Sequence, residues 1–337
     1  MKLDSSEVSG KDLFKKCLSK KTPVFLAPMA GVTDAPFREM VESFGATAVV
    51  SEMVSSESLV RFSKKTYRRI ADKNDKYLKI VQLVGFDPKN MAESAIINED
   101  LGADIVDINM GCPARKIVSN DSGAALMTNE DLAVKIVDAV VKAVKIPVTV
   151  KIRLGWDNEH INCISLAKKF EEAGIQMIAI HCRTRNQMYS GNANWSLINE
   201  LRDVIRIPYL CNGDIKTGED AVCAIEKSNA TGVMIGRAAL GKPWLLNQIM
   251  KFFDTHEVIQ SPSLEEQFCI VMKHFYTVLD FYGELQGIRV FRKHFCWYST
   301  GLSGASRFRE TINSADDISF IKNCVESFYE GCSKAAL

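Results

Sequence analysis

Three things are missing from this chain of 337 residues, and each removes a class of answer. Its ten cysteines include no C-x-x-C pair, so the usual ligand spacing of a zinc or iron–sulfur site is absent and no metal is expected. No apolar run approaches bilayer length, and Met1-Lys2-Leu3-Asp4-Ser5-Ser6-Glu7 lacks a basic stretch followed by an apolar one, so no membrane partner is expected. Net charge is +1, so no global field points to nucleic acid, and any basic surface must be local. With 47% hydrophobic and 25% charged residues, the chain reads as an ordinary globular protein of the cytoplasm, its cysteines reduced. It is read as a monomer.

What is present is one unit, repeated. Short β-branched runs occur at Val24–Ala27, Thr47–Ser51, Lys79–Leu83, Ile105–Asn109, Val148–Ile152, Met177–His181, Tyr209–Asn212 and Gly232–Ile235. They are nearly continuous, as parallel strands covered on both faces should be. Amphipathic stretches separate them, among them Pro88–Leu101, Asp131–Val144, Ile161–Ala173 and Thr217–Ser228. Glycines at Gly45, Gly102 and Gly174 stop helices ahead of the next strand. Eight such units fit a closed (β/α)8 TIM barrel over residues 1–245. A doubly wound sheet is the rival on pattern, although no G-x-G-x-x-G follows the first strand. Residues 246–337 read as a small C-terminal helical-bundle domain, with Ile249, Phe253, Val271, Phe275 and Leu279 at helical spacing and Ser263 as an N-cap.

Chemistry in a parallel barrel sits at the carboxyl ends of its strands. There this sequence places Gln82, then Asn109 and Cys112, then Lys151 and Arg153, then His181 and Arg183, then Asn212-Gly213-Asp214, then Gly236-Arg237. Each has a bland reading alone, since a cysteine is often a core residue and a lysine after a strand is usually solvated. Six successive strand ends with polar groups point to one centre. Gly111 and Pro113 hold Cys112 on a stiff turn, where a thiol can serve as nucleophile, metal ligand or proton donor.

The last two loops suggest the ligand. Barrels commonly bind phosphate after strands 7 and 8, and Asn212, Gly213, Asp214, Gly236 and Arg237 supply close backbone approach and a guanidinium fork. With the small Pro28-Met29-Ala30 loop and Gln82 across the mouth, the site suits FMN. Lys151 would stand by the ring and offset negative charge on the reduced flavin.

The motifs together resemble the bacterial tRNA-dihydrouridine synthases, with the B-type branch most similar. The resemblance is carried by Asp107–Pro113, Thr149–Trp156, His181–Tyr189, Ala27–Asp34, Asn212–Ile215, Gly236-Arg237, Gly241–Trp244, Arg292-Lys293-His294 and Trp297-Tyr298. Cys182 stands where the family usually has glycine, and Asn194 where aspartate is common. The resemblance implies that NADPH (or NADH) reduces bound FMN, which then gives hydride to C6 of a uracil in tRNA. It implies Cys112 as the donor of a proton to C5, with Lys151 and His181 beside it. A thiol with an ordinary pKa of about 8.5 is mostly protonated at neutral pH, which suits a donor. The uridine must leave its stack to reach a barrel floor.

Asn109, Arg153, Arg183 and Arg185 are expected to face the substrate. For the RNA backbone, Leu285–Arg309 holds no acidic residue and carries Arg289, Arg292 and Lys293 among aromatics. Most of those aromatics are expected in the core. The basic stretch from Arg61 to Arg69 could extend the track. Two alternatives stand beside this reading. One is a flavin barrel acting on a small pyrimidine in the manner of dihydroorotate dehydrogenase; the other is a non-catalytic RNA-binding protein.

Overall fold

The structure, a computed structural model, describes residues 10–60 and 77–335. Eight parallel strands close in sequence order into a barrel: β1 (Val24–Leu26), β2 (Ala48–Ser55), β3 (Ile80–Val84), β4 (Ile105–Met110), β5 (Val148–Arg153), β6 (Met177–His181), β7 (Tyr209–Asn212) and β8 (Gly232–Ile235). β8 pairs back onto β1, so no edge remains. The TIM barrel expected from the sequence is therefore the fold, with helical segments after it.

The intervening helices start and stop where their end residues dictate. Asp34, Asp87 and Thr217 accept backbone N–H groups at the N-termini of helices Ala35–Ser43, Pro88–Asp100 and Gly218–Ser228. Gly45, Gly102 and Gly174 follow helix ends at φ of 89°, 84° and 102°, a conformation that costs other residues more. One strand departs from the sequence reading. β2 continues past Ser51 to Ser55, because its register shifts between Val50 and Met53. Ser51 Oγ there accepts the Gln82 N–H at 3.1 Å in place of a regular ladder bond.

Alternation along the strands decides what fills the barrel. The inner residues near the amino ends are apolar, including Phe25, Ile80, Ile105, Met177 and Leu210. Phe14, on helix Gly10–Leu18, packs among them and closes that end. Leu246, Ile249 and Phe253 of helix Leu245–Thr255 join the layer between strands and outer helices. A separate cluster forms from helices Leu264–Tyr282, Glu284–Tyr298, Ala305–Ser314 and Ile318–Ala335. Phe291, Phe295, Tyr298 and Phe308 lie inside it, as expected for the aromatics of this region. No helix among the described residues is long and apolar enough to cross a membrane.

Candidate active site

Toward the carboxyl ends of β3 to β7, the same inner face turns polar. The pairings set Gln82 beside Asp107, Asn109 beside Lys151, Arg153 beside His181, and His181 beside Asn212. Seven side chains from five adjacent strands thus face one mouth.

A buried hydrogen-bond chain orders them. Thr149 Oγ1 donates to Asp107 Oδ1 at 2.6 Å, and Gln82 Nε2 donates to Asp107 Oδ2 at 2.7 Å. Asn109 Nδ2 donates to Gln82 Oε1 at 2.8 Å. The Asn109 oxygen then accepts the N–H groups of Gly111 at 3.1 Å and Cys112 at 2.9 Å. Gly111 lies against the β5 backbone, where an added Cβ would sit 3.2 Å from the Ile152 carbonyl carbon. From the other side, Ala124 N–H reaches the Cys112 carbonyl at 3.0 Å. The thiol is therefore held by its backbone from two directions. Burial raises its pKa above the ordinary thiol value, despite the nearby Arg153 and Lys151 charges. It carries a proton at neutral pH.

Two adjoining hollows open at this mouth. One, about 410 Å³, is lined by Cys112, Asn109, Gln82, Met53 and Ala30. The other, about 550 Å³, runs over Asn212, Gly213, Asp214, Gly236 and Arg183. Pro28, Met29, Lys151, His181, Tyr189 and Arg237 line both, so the two form one continuous trough. All residues expected at the cofactor, Pro28, Met29, Ala30, Gln82, Lys151, His181, Asn212, Gly213, Asp214, Gly236 and Arg237, lie along it.

The larger hollow gathers cations: Lys151, Arg183, Lys216 and Arg237 line it around the Asp214 carboxylate. Gly213 (φ 119°) and Asp214 (φ 55°) make a left-handed turn, and a Cβ on Gly213 would stand 2.9 Å from Ala193 Cβ and 3.0 Å from His181 Cδ2. Asp214 is held by Arg183 Nη2 at 2.5 Å and by the Ala193 N–H at 2.8 Å. Arg183 Nη1 is buried in the wall of this hollow without a partner. Arg237 lies 3.8 Å from Asp214 and over the Tyr189 ring at 4.5 Å. A phosphate would satisfy Arg183 and Arg237 together, so the residues present fit the phosphate end of FMN.

The crowding of cations sets the protonation states. Burial, and then the neighbouring Arg153, hold Lys151 down to about 8, so its ammonium is charged but poised. Its Nζ donates to Asn212 Oδ1 at 3.1 Å. Burial and the charges of Lys151, Arg153, Arg183 and Arg237 push His181 well below the usual histidine range, leaving it neutral.

Several residues expected to face the substrate also make contacts within the chain; Arg153 lines the hollow beside Cys112 and Arg183 the larger one. Arg153 and Arg183 are each 2% exposed. Arg153 spends its donors on the carbonyls of Gly111, Thr184 and Met188, tying the Cys112 loop to the loop after β6. Arg183 grips Ser190, Gly191 and Asp214. Arg185 stacks over Trp156 at 4.5 Å and lines neither hollow. Arg292 is paired with Asp316 at 2.7 Å, and Lys293 donates to the Gly31 carbonyl. Arg289 is exposed on the same helix. The basic stretch from Arg61 to Arg69 lies outside the described residues.

Three contributors escaped the sequence reading. Tyr189 lines both hollows, and its signal was an aromatic within a polar loop. Asp107 was visible only as a carboxylate inside a β-branched strand. Glu52, which binds the Gly31 N–H, gave no local signal.

Comparison with known proteins agrees with this geometry. Residues 25–330 match the family model described as dihydrouridine synthase (Dus). A probable tRNA-dihydrouridine synthase of Rickettsia bellii is 47% identical over 307 residues, covering 91% of this chain and 94% of that protein. A tRNA-dihydrouridine synthase B of Pseudomonas aeruginosa is 43% identical, covering 87% of this chain and 89% of the other. Among solved structures, histamine dehydrogenase from Rhizobium sp. 4-9 shares the fold at a TM-score of 0.52 and 13% identity, over 75% of this chain and 48% of that one. A 2-naphthoyl-CoA reductase does so at 0.54 and 12%, over 68% and 50%.

Proposed function

The chain belongs to the dihydrouridine synthase family, and from that premise we propose that it reduces the C5–C6 double bond of uridines in tRNA. FMN, when bound, supplies the hydride for C6 and is itself reduced by NADPH (or NADH). The observation that carries the reading is the trough, which joins an anion cradle at Gly213 and Arg237 to a protonated thiol at Cys112.

The side chains divide the work. Arg183, Arg237 and the Gly213 turn would hold the phosphate of FMN, and Pro28, Met29 and Ala30 would line the place of its ring. Lys151 keeps its charge at neutral pH and offsets negative charge developing by the ring. Neutral His181 offers a hydrogen bond without adding a further cation. Cys112 holds its proton at Sγ and delivers it to C5, a transfer that a thiolate could not make. Asn109 keeps that sulfur in place. The target base has to be turned out of its stack, and Arg289 is an exposed cation of helix Glu284–Tyr298 that can meet phosphate. This reading puts the protein in the cytoplasm with its substrate.

The test is direct. Flavin-loaded protein, NADPH and an unmodified tRNA transcript should yield uridines heavier by two hydrogen atoms. A loaded enzyme that leaves the transcript unchanged yet reduces a small pyrimidine would move the substrate to that class.

A further inference from the structure

The loop after β1, from Ala27 to Asp34, supplies Pro28, Met29 and Ala30 to the trough. Much of it is a self-closed turn: Val32 and Thr33 N–H groups reach the Met29 carbonyl at 2.9 and 3.0 Å, and the Met29 N–H reaches Thr33 Oγ1 at 3.0 Å. Gly31 stands at its outer edge with φ of 75°. Its N–H donates to Glu52 on β2, and its carbonyl accepts Nζ of Lys293, 262 residues away on helix Glu284–Tyr298. At the loop's end, Tyr282 of the preceding helix donates its hydroxyl to Asp34 Oδ2 at 3.0 Å. Below these bonds Phe37 packs against the buried rings of His274 and His294, each 5.7 Å away.

We infer that Lys293 and Tyr282 are positioning residues for the flavin: the helical region straps the β1 loop and so completes the cofactor's floor. The inference rests on the flavin reading above. Its physical basis is burial of like charge. Glu52 and Asp34 are both nearly inaccessible; burial raises the Asp34 carboxyl to about 6, the Phe37 N–H and Tyr282 hydroxyl lower it, and Glu52 and Lys293 add smaller opposing effects. Removing the ammonium leaves two buried carboxylates facing one turn, and such a site relaxes by moving backbone. The backbone that would move carries Met29 and Ala30.

This differs from the role of a phosphate contact on the RNA face. Full-length protein is stripped of FMN and titrated with FMN in the absence of RNA, at a temperature well below its melting point. The visible circular dichroism of bound flavin, which reports how the ring is seated, is recorded alongside. Lys293→Met should weaken FMN binding by about tenfold and alter that spectrum. Lys273→Met, which removes a charge from the neighbouring helix, should leave both unchanged. Tyr282→Phe keeps the ring, should weaken FMN in the same direction, and decides the matter should Lys293→Met fail to fold. Unchanged FMN affinity and spectrum, with only tRNA binding reduced, would overturn the inference and return Lys293 to the RNA surface. A wild-type protein that binds no FMN would instead sink the flavin reading beneath it.

Discussion

Asn109 grips Cys112 through the backbone: its side-chain oxygen accepts the cysteine N–H at 2.9 Å while its amide nitrogen donates to Gln82 at 2.8 Å. The same amide that orients the thiol loop is the last link of a chain starting at Thr149 and Asp107. The sulfur's position is thereby set by the barrel interior and not by the loop alone.

Asn109→Ala should therefore lower tRNA reduction by about ten- to a hundredfold, since misplacing a reacting group costs that much. Stability should fall by about 1–3 kcal/mol, because the Gln82 oxygen and two loop N–H groups lose a partner. Flavin reduction by NADPH should continue. Single-turnover oxidation of prereduced protein by tRNA measures the first effect, and a wild-type rate there would detach Asn109 from the thiol.

Cys112→Ala should keep FMN and tRNA binding and lose a hundredfold or more of uracil reduction, about what general acid catalysis supplies. The wild-type rate should stay level through neutral pH. It should begin to fall near pH 8, as the Lys151 ammonium is lost, and fall further past the thiol's raised pKa, where the proton for C5 is lost. Cys163 and Cys223, on helices Cys163–Glu172 and Gly218–Ser228, serve as controls whose alanine variants should keep per-flavin turnover. A Cys112→Ala protein turning over at the wild-type rate would remove the thiol from the chemistry.

Arg289→Gln should reduce the slope of log tRNA affinity against log salt by about one unit, leaving NADPH oxidation intact. Arg292 is already committed to Asp316 and should contribute less. An unchanged slope for Arg289→Gln would leave that face to solvent.

The barrel was legible because parallel strands buried on both faces write nearly continuous apolar runs, and seven of eight ended within about two residues of expectation. The trough was legible because polar residues at strand ends stand out against that background. Lys151 and His181 could be assigned to the mouth by period alone. Arg153, Arg183 and Lys293 could not be assigned tasks in the same way, since a basic residue looks alike whether it meets phosphate or a carbonyl. Arg153 finds Gly111 at a separation of 42 residues and Lys293 finds Gly31 at 262, and no local pattern records such pairs. Tyr189 was hidden for a related reason, as only the fold brings its ring beneath Arg237.

Lys151→Met should make the cofactor-stripped protein more stable and the loaded enzyme less active. Burial holds the ammonium at about 8, against an ordinary 10.5. Below the lower value both folded and unfolded chains carry the proton, and the folded one bears the full cost. Between the two values the unfolded chain binds more protons, so wild-type stability gains with rising pH until the cost is gone. The variant's advantage should be about 3 kcal/mol at neutral pH and should vanish above the ordinary lysine pKa. Melting curves of both proteins across that range give the difference. A difference independent of pH would mean that the lysine is not strained by burial.

Arg237→Ala and Gly213→Ala should both empty the flavin site, for separable reasons. The Arg237 side chain is 55% exposed and 3.8 Å from Asp214, so its loss should cost the stripped protein about 1 kcal/mol or less. Its absence is felt only when a phosphate needs a partner. Gly213 is different, because its φ of 119° disfavours any Cβ and the new methyl would press on Ala193 and the His181 ring. Gly213→Ala should therefore lower stability by about 1–3 kcal/mol before any ligand is added. Thermal melts of stripped protein, followed by FMN titration, give the two numbers for each variant. Full FMN affinity in Arg237→Ala would place the phosphate away from this cradle, and with it the orientation of the ring toward Cys112 would have to be reversed.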